Sequence, residues 1–205
     1  KDFNNSIKNL SLSQKDIEIK KFCLDNFIDK GFPNRKEEEW KFSDLNQIIK
    51  KNIGELSFYN DYTATNKVDT SVFVDGLEHN KIVFINGRIE KIDFDYEEKN
   101  QIEIIDQSET TNRFNNNNSL LDLNTAFTNK SFKILVKQGY QLKKPLIIYH
   151  TTNSNIWSKN INLRLDFELG KDSSLRLIDL YNDTSEKNFL NIFYNFDLKE
   201  NAVLK

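Results

Sequence analysis

The last part of the chain repeats itself at an interval of 29 residues, and this repeat limits the possible folds more than any other feature. The matched positions are 167–169 with 196–198, Asp172 with Asn201, Ser173 with Ala202, and Leu175 with Leu204. An earlier, less regular copy runs from residues 134–136 through Gly139 to residues 145–148. Such a period is typical of solenoids, and the short strands are not separated by helical patterns. The repeat therefore predicts a β-helix or a related stack of strands. A β-sandwich is the alternative, because it also uses short, regularly spaced strands.

The composition is that of a folded chain with no obvious affinity for nucleic acid. Hydrophobic residues make up 38% of the 205 residues, and 16 Phe and 7 Tyr supply large side chains for a core. The formal net charge is −2, and the lysines are interspersed with acidic residues. A nucleic-acid-binding surface needs a basic stripe, so no nucleic-acid partner is expected.

The sequence also indicates the cellular compartment. Cys23 is the single cysteine, which excludes an internal disulfide and fits a reducing environment. No run approaches the roughly 18 consecutive apolar residues of a membrane-spanning helix, and the first residues lack the apolar core of a signal peptide. We therefore expect a cytoplasmic protein with no membrane partner. The absence of Met indicates either a removed initiator or a piece of a longer protein.

Residues 1–58 have the pattern of a small helical unit. Ser13 followed by Asp16 resembles a capping box, and Gly31 is a typical C-terminal stop. Between them, the apolar positions with helical spacing are Ile17, Phe22, Cys23, Leu24, Phe27 and Ile28. A second helical element is predicted from Asn34 to about Ile53, with an interruption near Ser43 and Asp44.

The next region, residues 59–120, is predicted to link this unit to the strands. Residues 82–85 have the β-branched and aromatic composition of a strand and run into Asn86-Gly87, which favours a hairpin turn before a second strand over residues 88–92. Residues 115–118 are four consecutive asparagines, which are typical of a loop. Residues 121–205 are then the start of the stacked-strand core, and residues 202–205 stop within its next strand. The expected fold class is α+β, mainly β.

Residues 32–45 form a short segment with an ordered set of features. Asn34 is a good N-cap, Glu37 follows at capping-box spacing, and the carboxylates at 37–39 favour the positive end of a helix. The run also resembles a signature of the SufD subunits of the SUF iron–sulfur cluster assembly system. The matching residues are Pro33, Arg35, Lys36, Glu38, Trp40, Lys41, Phe42, Ser43, Asp44 and Leu45. Residues 84–88, 121–127, 145–148 and 162–178 resemble the same family in the same order.

The resemblance implies a fold and a role. The SufB and SufD core is a right-handed parallel β-helix, and family members are roughly twice as long, so this chain is similar to a truncated N-terminal half. SufD-type subunits are non-catalytic scaffolds that pair with SufB through the β-helices and bind the ATPase SufC through a C-terminal helical domain. The iron–sulfur cluster forms on the assembled complex, so no cluster ligand is expected in this chain.

Within the signature, Pro33, Arg35, Glu38, Trp40 and Asp44 are expected to be structural. Trp40 would pack the second helix, although an aromatic anchor for a partner is the other interpretation. Arg35 and Asp44 are expected to form a polar clamp.

No catalytic, cofactor-binding or metal-binding residue is expected. Cys23 is flanked by apolar residues, and neither His79 nor His150 has another His or Cys at ligand spacing. Phosphate-binding and nucleophile-elbow motifs are absent from the sequence. Acidic pairs such as Glu97 with Glu98 and Asp93 with Asp95 are interpreted as solvated faces.

Two alternatives stay open. SufB is a paralogue with the same core, although the signature and a β-region without cysteine favour SufD. A carbohydrate-active β-helix enzyme is the alternative of a different class, and it should carry clustered charges along one face of successive coils.

Overall fold

The structure is a computed structural model, and it describes residues 3–4, 7, 12–59, 67–107, 118–152, 156–183 and 187–205. The α-helices with defined bounds are α1 (Gln14–Lys30), α2 (Leu45–Asn52) and α3 (Ser119–Phe127). The strands are β1 (Ser57–Phe58), β2 (Asn80–Ile85), β3 (Arg88–Asp93), β4 (Ile102–Gln107), β5 (Ser131–Val136), β6 (Leu146–Thr152), β7 (Lys159–Leu169), β8 (Ser174–Leu175), β9 (Leu177–Asp183), β10 (Phe189–Leu198) and β11 (Val203–Leu204). The fold is α+β and mainly strands, as the sequence predicts.

Helix α1 begins and ends where its capping residues predict. The Ser13 side chain accepts from the Asp16 N–H and the Asp16 carboxylate accepts from the Ser13 N–H, which completes a capping box. The prediction for its apolar face is partly wrong, because Phe22 is 58% and Ile28 65% exposed. The buried side of the helix carries Asp16, Lys20 and Cys23 instead.

The second helical element is shorter than predicted. A 3₁₀ turn over Glu38–Trp40 is followed by α2, and Asp44 is the N-cap of α2. The break predicted near Ser43 and Asp44 is therefore present, but the helix does not begin at Asn34. The Asn34 side chain accepts from the Lys36 N–H in a local turn, a known competitor of helix formation.

Strands β2 and β3 form the hairpin that Asn86-Gly87 predicts. The two strands pair antiparallel, and both turn residues have positive φ, at 52° and 77°. Residues 115–117 of the asparagine tract lie outside the described residues. Asn118 is the N-cap of α3, and its side chain accepts from the N–H groups of Leu120 and Leu121.

The 29-residue repeat appears as direct pairing between parallel strands. Strand β7 pairs with β10 so that Phe167 is opposite Phe196, and β8 pairs with β11 so that Leu175 is opposite Leu204. Strands β5 and β7, and β6 and β9, are also parallel neighbours. At the turn after β7, Asn201 donates to the Asp172 carboxylate at 2.9 Å, and both residues have positive φ. The repeat thus places equivalent residues side by side in successive strands.

The largest core lies between these strands. Its fully buried members include Ile82, Phe84, Ile134, Leu165 and Phe167. A second cluster joins α1 to α3 through Phe3, Cys23, Leu123, Ala126 and Phe127. Strands β2 and β4, from the region predicted as a link, pair with β6 and β5. The domain bounds near residues 58 and 120 stay a prediction.

A ladder of buried asparagines connects α3 to the parallel strands. Asn191 of β10 donates to the Asn162 side chain of β7 at 3.0 Å, and Asn162 donates to Asn160 at 2.8 Å. Asn124 of α3 donates to the carbonyl groups of Leu163 and residue 191. Because these amides are buried and paired, they fix the position of α3 over the repeat.

Candidate functional site

The signature residues lie in a short connection between α1 and α2. Pro33 is buried, and its carbonyl accepts from the Leu45 N–H at 3.1 Å, which closes the connection into a loop. Trp40 is half-buried at the end of the 3₁₀ turn. Arg35 and Glu38 are exposed. The segment holds together through backbone hydrogen bonds at both ends.

The expected clamp between Arg35 and Asp44 does not form. The Asp44 carboxylate accepts from the Gln47 N–H at 3.0 Å and so caps α2. The structure brings Pro33, Trp40 and Asp44 into one loop, whereas Arg35 and Glu38 extend into solvent. A structural role for the signature stays a prediction.

The residues considered for metal or redox chemistry are buried in separate places. Cys23 is 3% exposed, and burial raises the pKa of its thiol to about 11, which disfavours the reactive thiolate. The His79 ring lies 2.7 Å from the Tyr149 hydroxyl, and burial raises the pKa of that hydroxyl. Within the described residues, no group of three His, Cys, Asp or Glu side chains could hold a metal ion.

Glu97 connects two loops, whereas the sequence alone indicates a solvated charge. Its carboxylate accepts from Asn80, Tyr140, and the N–H groups of Lys143 and Lys144. Burial acts to raise the pKa of this carboxyl, but the four donors outweigh it and the pKa is lowered. Glu97 thus ties the turn after β3 to the loop before β6.

A polar groove crosses the outer face of strands β4, β5, β7 and β10. It is lined by Gln107, Lys133, Arg164, Asp166, Phe167, Glu168, Asn195 and Asp197. Lys133 pairs with Glu168 at 2.5 Å, and Arg164 contacts Asp166 at 3.3 Å. Glu168 is directly opposite Asp197 in the β7–β10 register. The groove carries a row of carboxylates, which is the kind of charge pattern that the enzyme alternative requires.

The strands of the last repeat present a free edge, which we call the open edge. It consists of β9, β10 and β11, each of which pairs with one neighbouring strand within the part of the chain that the structure describes. Its exposed apolar side chains are Ile178, Tyr181, Phe196, Leu198 and Val203. Free backbone groups beside apolar side chains can accept a further strand. The open edge can therefore accept one further strand.

The comparisons with known proteins leave the family open. The sequence matches no protein-family model, and it has no significant match among curated proteins. The resemblance to SufD thus rests on the motifs described above. Among the described residues, no helix combines the length and apolarity needed to cross a membrane.

Sequence reasoning missed the buried polar residues that organise the structure. Lys20 reaches the carbonyls of Thr125 and Thr128 at 3.1 and 2.6 Å, although helical spacing alone marks it as exposed. The pair Asn162 and Asn191 could have been found, because it has the same 29-residue separation as the repeat. Lys20 has no comparable signal.

Proposed function

We propose that this chain is the N-terminal half of a SufD-type scaffold subunit with a right-handed parallel β-helix core. The observation that carries the proposal is the in-register parallel pairing of β7 with β10 and β8 with β11 at one repeat interval. Stacked parallel strands of this kind are the building principle of a β-helix. The signature around Pro33 and Trp40 then favours SufD among β-helix proteins.

In this role the chain has no catalytic residue of its own. It contributes coils to a complex with SufB, and it positions the ATPase SufC through the C-terminal half of the full-length subunit. The iron–sulfur cluster belongs to the assembled complex in the cytoplasm. The buried asparagine ladder and the paired Glu97 support a scaffold, because they rigidify the fold without exposing a reactive group.

The SufB paralogue remains the alternative within the family. Outside it, one observation favours a carbohydrate-active enzyme: Glu168 and Asp197 are neighbours on adjacent strands and line a groove. Paired carboxylates are the usual machinery of glycoside hydrolysis. However, Lys133 neutralises Glu168 and Lys199 lies 2.7 Å from Asp197, which fits a solvated ion-pair network better than an acid and base pair.

The test is co-purification with SufB-type and SufC-type subunits from the same source. A longer polypeptide that contains this chain should capture both subunits and carry iron and sulfide after anaerobic reconstitution. The 205-residue chain alone should capture no SufC-type subunit. If the longer polypeptide captures neither subunit, the SufD proposal is wrong.

A parallel screen of polysaccharides addresses the enzyme alternative. If the wild-type chain depolymerises a polysaccharide and both Glu168→Gln and Asp197→Asn abolish that activity, the scaffold proposal is wrong and the protein is an enzyme. Asp106→Asn, which removes an exposed carboxylate of β4 that pairs with Lys130, is the matched control for loss of a surface negative charge on the same sheet.

A further inference from the structure

Four polar side chains from three strands converge beside the open edge. They are His150 of β6, Asp179 and Tyr181 of β9, and Tyr194 of β10. The Nε2 atom of His150 lies 2.9 Å from the Tyr194 hydroxyl and 3.0 Å from Oδ1 of Asp179. The Tyr181 hydroxyl donates to Oδ2 of Asp179 at 2.5 Å. One imidazole, one carboxylate and two phenols thus share a single cluster.

The strand pairing fixes the position of this cluster. Phe84, His150 and Tyr181 stack across β2, β6 and β9, with ring centroids 5.3 and 5.1 Å apart. Asp179 and Tyr181 are two residues apart on one strand, so their side chains share a face. Tyr194 packs against Phe167. These contacts preorganise the four polar groups before any ligand arrives.

The cluster is buried on one side and accessible on the other. His150 is 2% exposed, whereas Tyr181 is 58% exposed. Oδ1 of Asp179 is buried and lies within ion-pairing distance of the His150 ring, so a carboxylate oxygen and an imidazole nitrogen face each other at the centre of the cluster. Both are metal-ligand atoms, and the exposed Tyr181 leaves a path to them from solvent.

We propose that His150, Asp179, Tyr181 and Tyr194 bind a ferric ion. The His150 nitrogen lies 2.9 Å from the Tyr194 oxygen and 3.0 Å from the Asp179 oxygen, which matches adjacent ligands in an octahedron with bonds of about 2.1 Å. The Tyr181 and Asp179 oxygens are closer, at 2.5 Å, and have to separate when they bind one ion. Burial and the Asp179 carboxylate raise the pKa of both phenols, so both are protonated in the metal-free chain. Each phenol gives its proton to water when its oxygen binds the ion, which leaves two phenolates and a carboxylate to balance the trivalent charge, and the oxidation state of iron does not change. Water molecules complete the coordination on the exposed Tyr181 side.

The donor set favours iron over the common divalent ions. Structural zinc sites use sulfur and nitrogen ligands, of which this cluster has one nitrogen and no sulfur. Calcium and magnesium use oxygen ligands and do not recruit imidazole. Hard anionic oxygens with one imidazole match a small, highly charged ion that also binds nitrogen. The site does not require the scaffold role proposed above, since it stands on these four side chains.

The site also differs from the sequence-based expectation that His150 takes no part in metal binding. That expectation considered ligands at short spacing, whereas His150 and Tyr194 are 44 residues apart and meet through strand pairing. It also considered only His and Cys as partners, and here the partners are Asp and Tyr.

The test is titration of the purified 205-residue chain with ferric citrate. Phenolate bound to ferric iron gives a visible ligand-to-metal charge-transfer band, and we expect that band together with one iron retained per chain after gel filtration. Tyr194→Phe and Asp179→Asn should each weaken iron binding at least about 100-fold, at the upper end of losses seen when supporting residues are removed.

Tyr181→Phe should weaken the band in a chain that folds normally, because Tyr181 is exposed. Tyr140→Phe is the matched control, since it removes a phenol that donates to another carboxylate, Glu97, at 2.7 Å.

Circular dichroism of each variant separates lost binding from lost folding. The proposal is overturned if the folded wild-type chain shows no band and retains no iron. It is also overturned if the band survives unchanged in Tyr181→Phe, or if Zn²⁺ or Mn²⁺ displaces iron at equal concentration.

Discussion

Replacing Lys20 should change how the stability of this protein depends on pH. Lys20 is 2% exposed, and its ammonium group donates to the carbonyls of Thr125 and Thr128 at the end of α3. Burial lowers the pKa of Lys20 from 10.5 to about 8, even though the nearby Asp16 and Cys23 act to raise it. The folded protein therefore releases this proton near pH 8, whereas the unfolded chain holds it until about pH 10.5.

Between these two pH values the unfolded chain binds more protons, so the free energy of unfolding should rise with pH. Moving a pKa from 10.5 to about 8 corresponds to roughly 3 kcal/mol. The Lys20→Met variant lacks the titrating ammonium group, so its free energy of unfolding should not show this increase with pH. Urea unfolding of both proteins between about pH 7 and 11 measures it. Cys23 titrates in both proteins, and because Lys20 acts to lower the pKa of its thiol, the measured difference includes this coupling.

The stability difference, wild type minus Lys20→Met, should thus increase by about 3 kcal/mol over that range. Lys21→Met removes an exposed lysine from the same helix and controls for the loss of one positive charge. If the curves for wild type and Lys20→Met run parallel, Lys20 does not titrate as a buried group and the reasoning is refuted.

Three further predictions concern the strand region. Asn191→Ala should lower the free energy of unfolding by about 1–3 kcal/mol in a denaturant assay, because it leaves buried partners without a donor. Asn195→Ala on the same strand should lower the free energy of unfolding by less in the same assay. Gly87→Ala should lower the melting temperature more than Gly139→Ala. Both glycines have positive φ, but of the two only residue 87 has a neighbour that an added Cβ would meet, at 2.9 Å. Phe196→Lys should reduce concentration-dependent association in analytical ultracentrifugation, since a charge on a free strand blocks edge pairing; unchanged association would exclude the open edge as the contact.

Local signals in the sequence predict the elements that depend on a few neighbouring residues. The capping box at Ser13 and Asp16 and the turn at Asn86-Gly87 each form through contacts within three or four residues, and both are present as expected. The 29-residue repeat is long-range, yet it is visible because each strand makes the same contacts with its neighbour. A contact between neighbouring strands thus recurs at a fixed interval and can be recognised in the sequence.

The incorrect predictions for the buried face of α1 have a different cause. Phe22 and Ile28 have helical spacing on α1, but α3 covers the side of the helix that carries Lys20 and Cys23. The orientation of a helix depends on its partner, and the chain places that partner about a hundred residues later. Spacing alone does not say which of two half-apolar faces is buried.

The cluster around His150 shows the same limit for the candidate metal site. Its four donors lie on three strands, and they meet because β6 pairs with β9 while the following strand, β10, crosses beside them. Asp179 and Tyr181 alone look like an ordinary exposed pair on a strand. Only the stacking of the repeat brings a buried imidazole to them. A repeat of this kind can therefore create a polar site from residues that carry no local motif, and the ferric titration tests whether this chain does so.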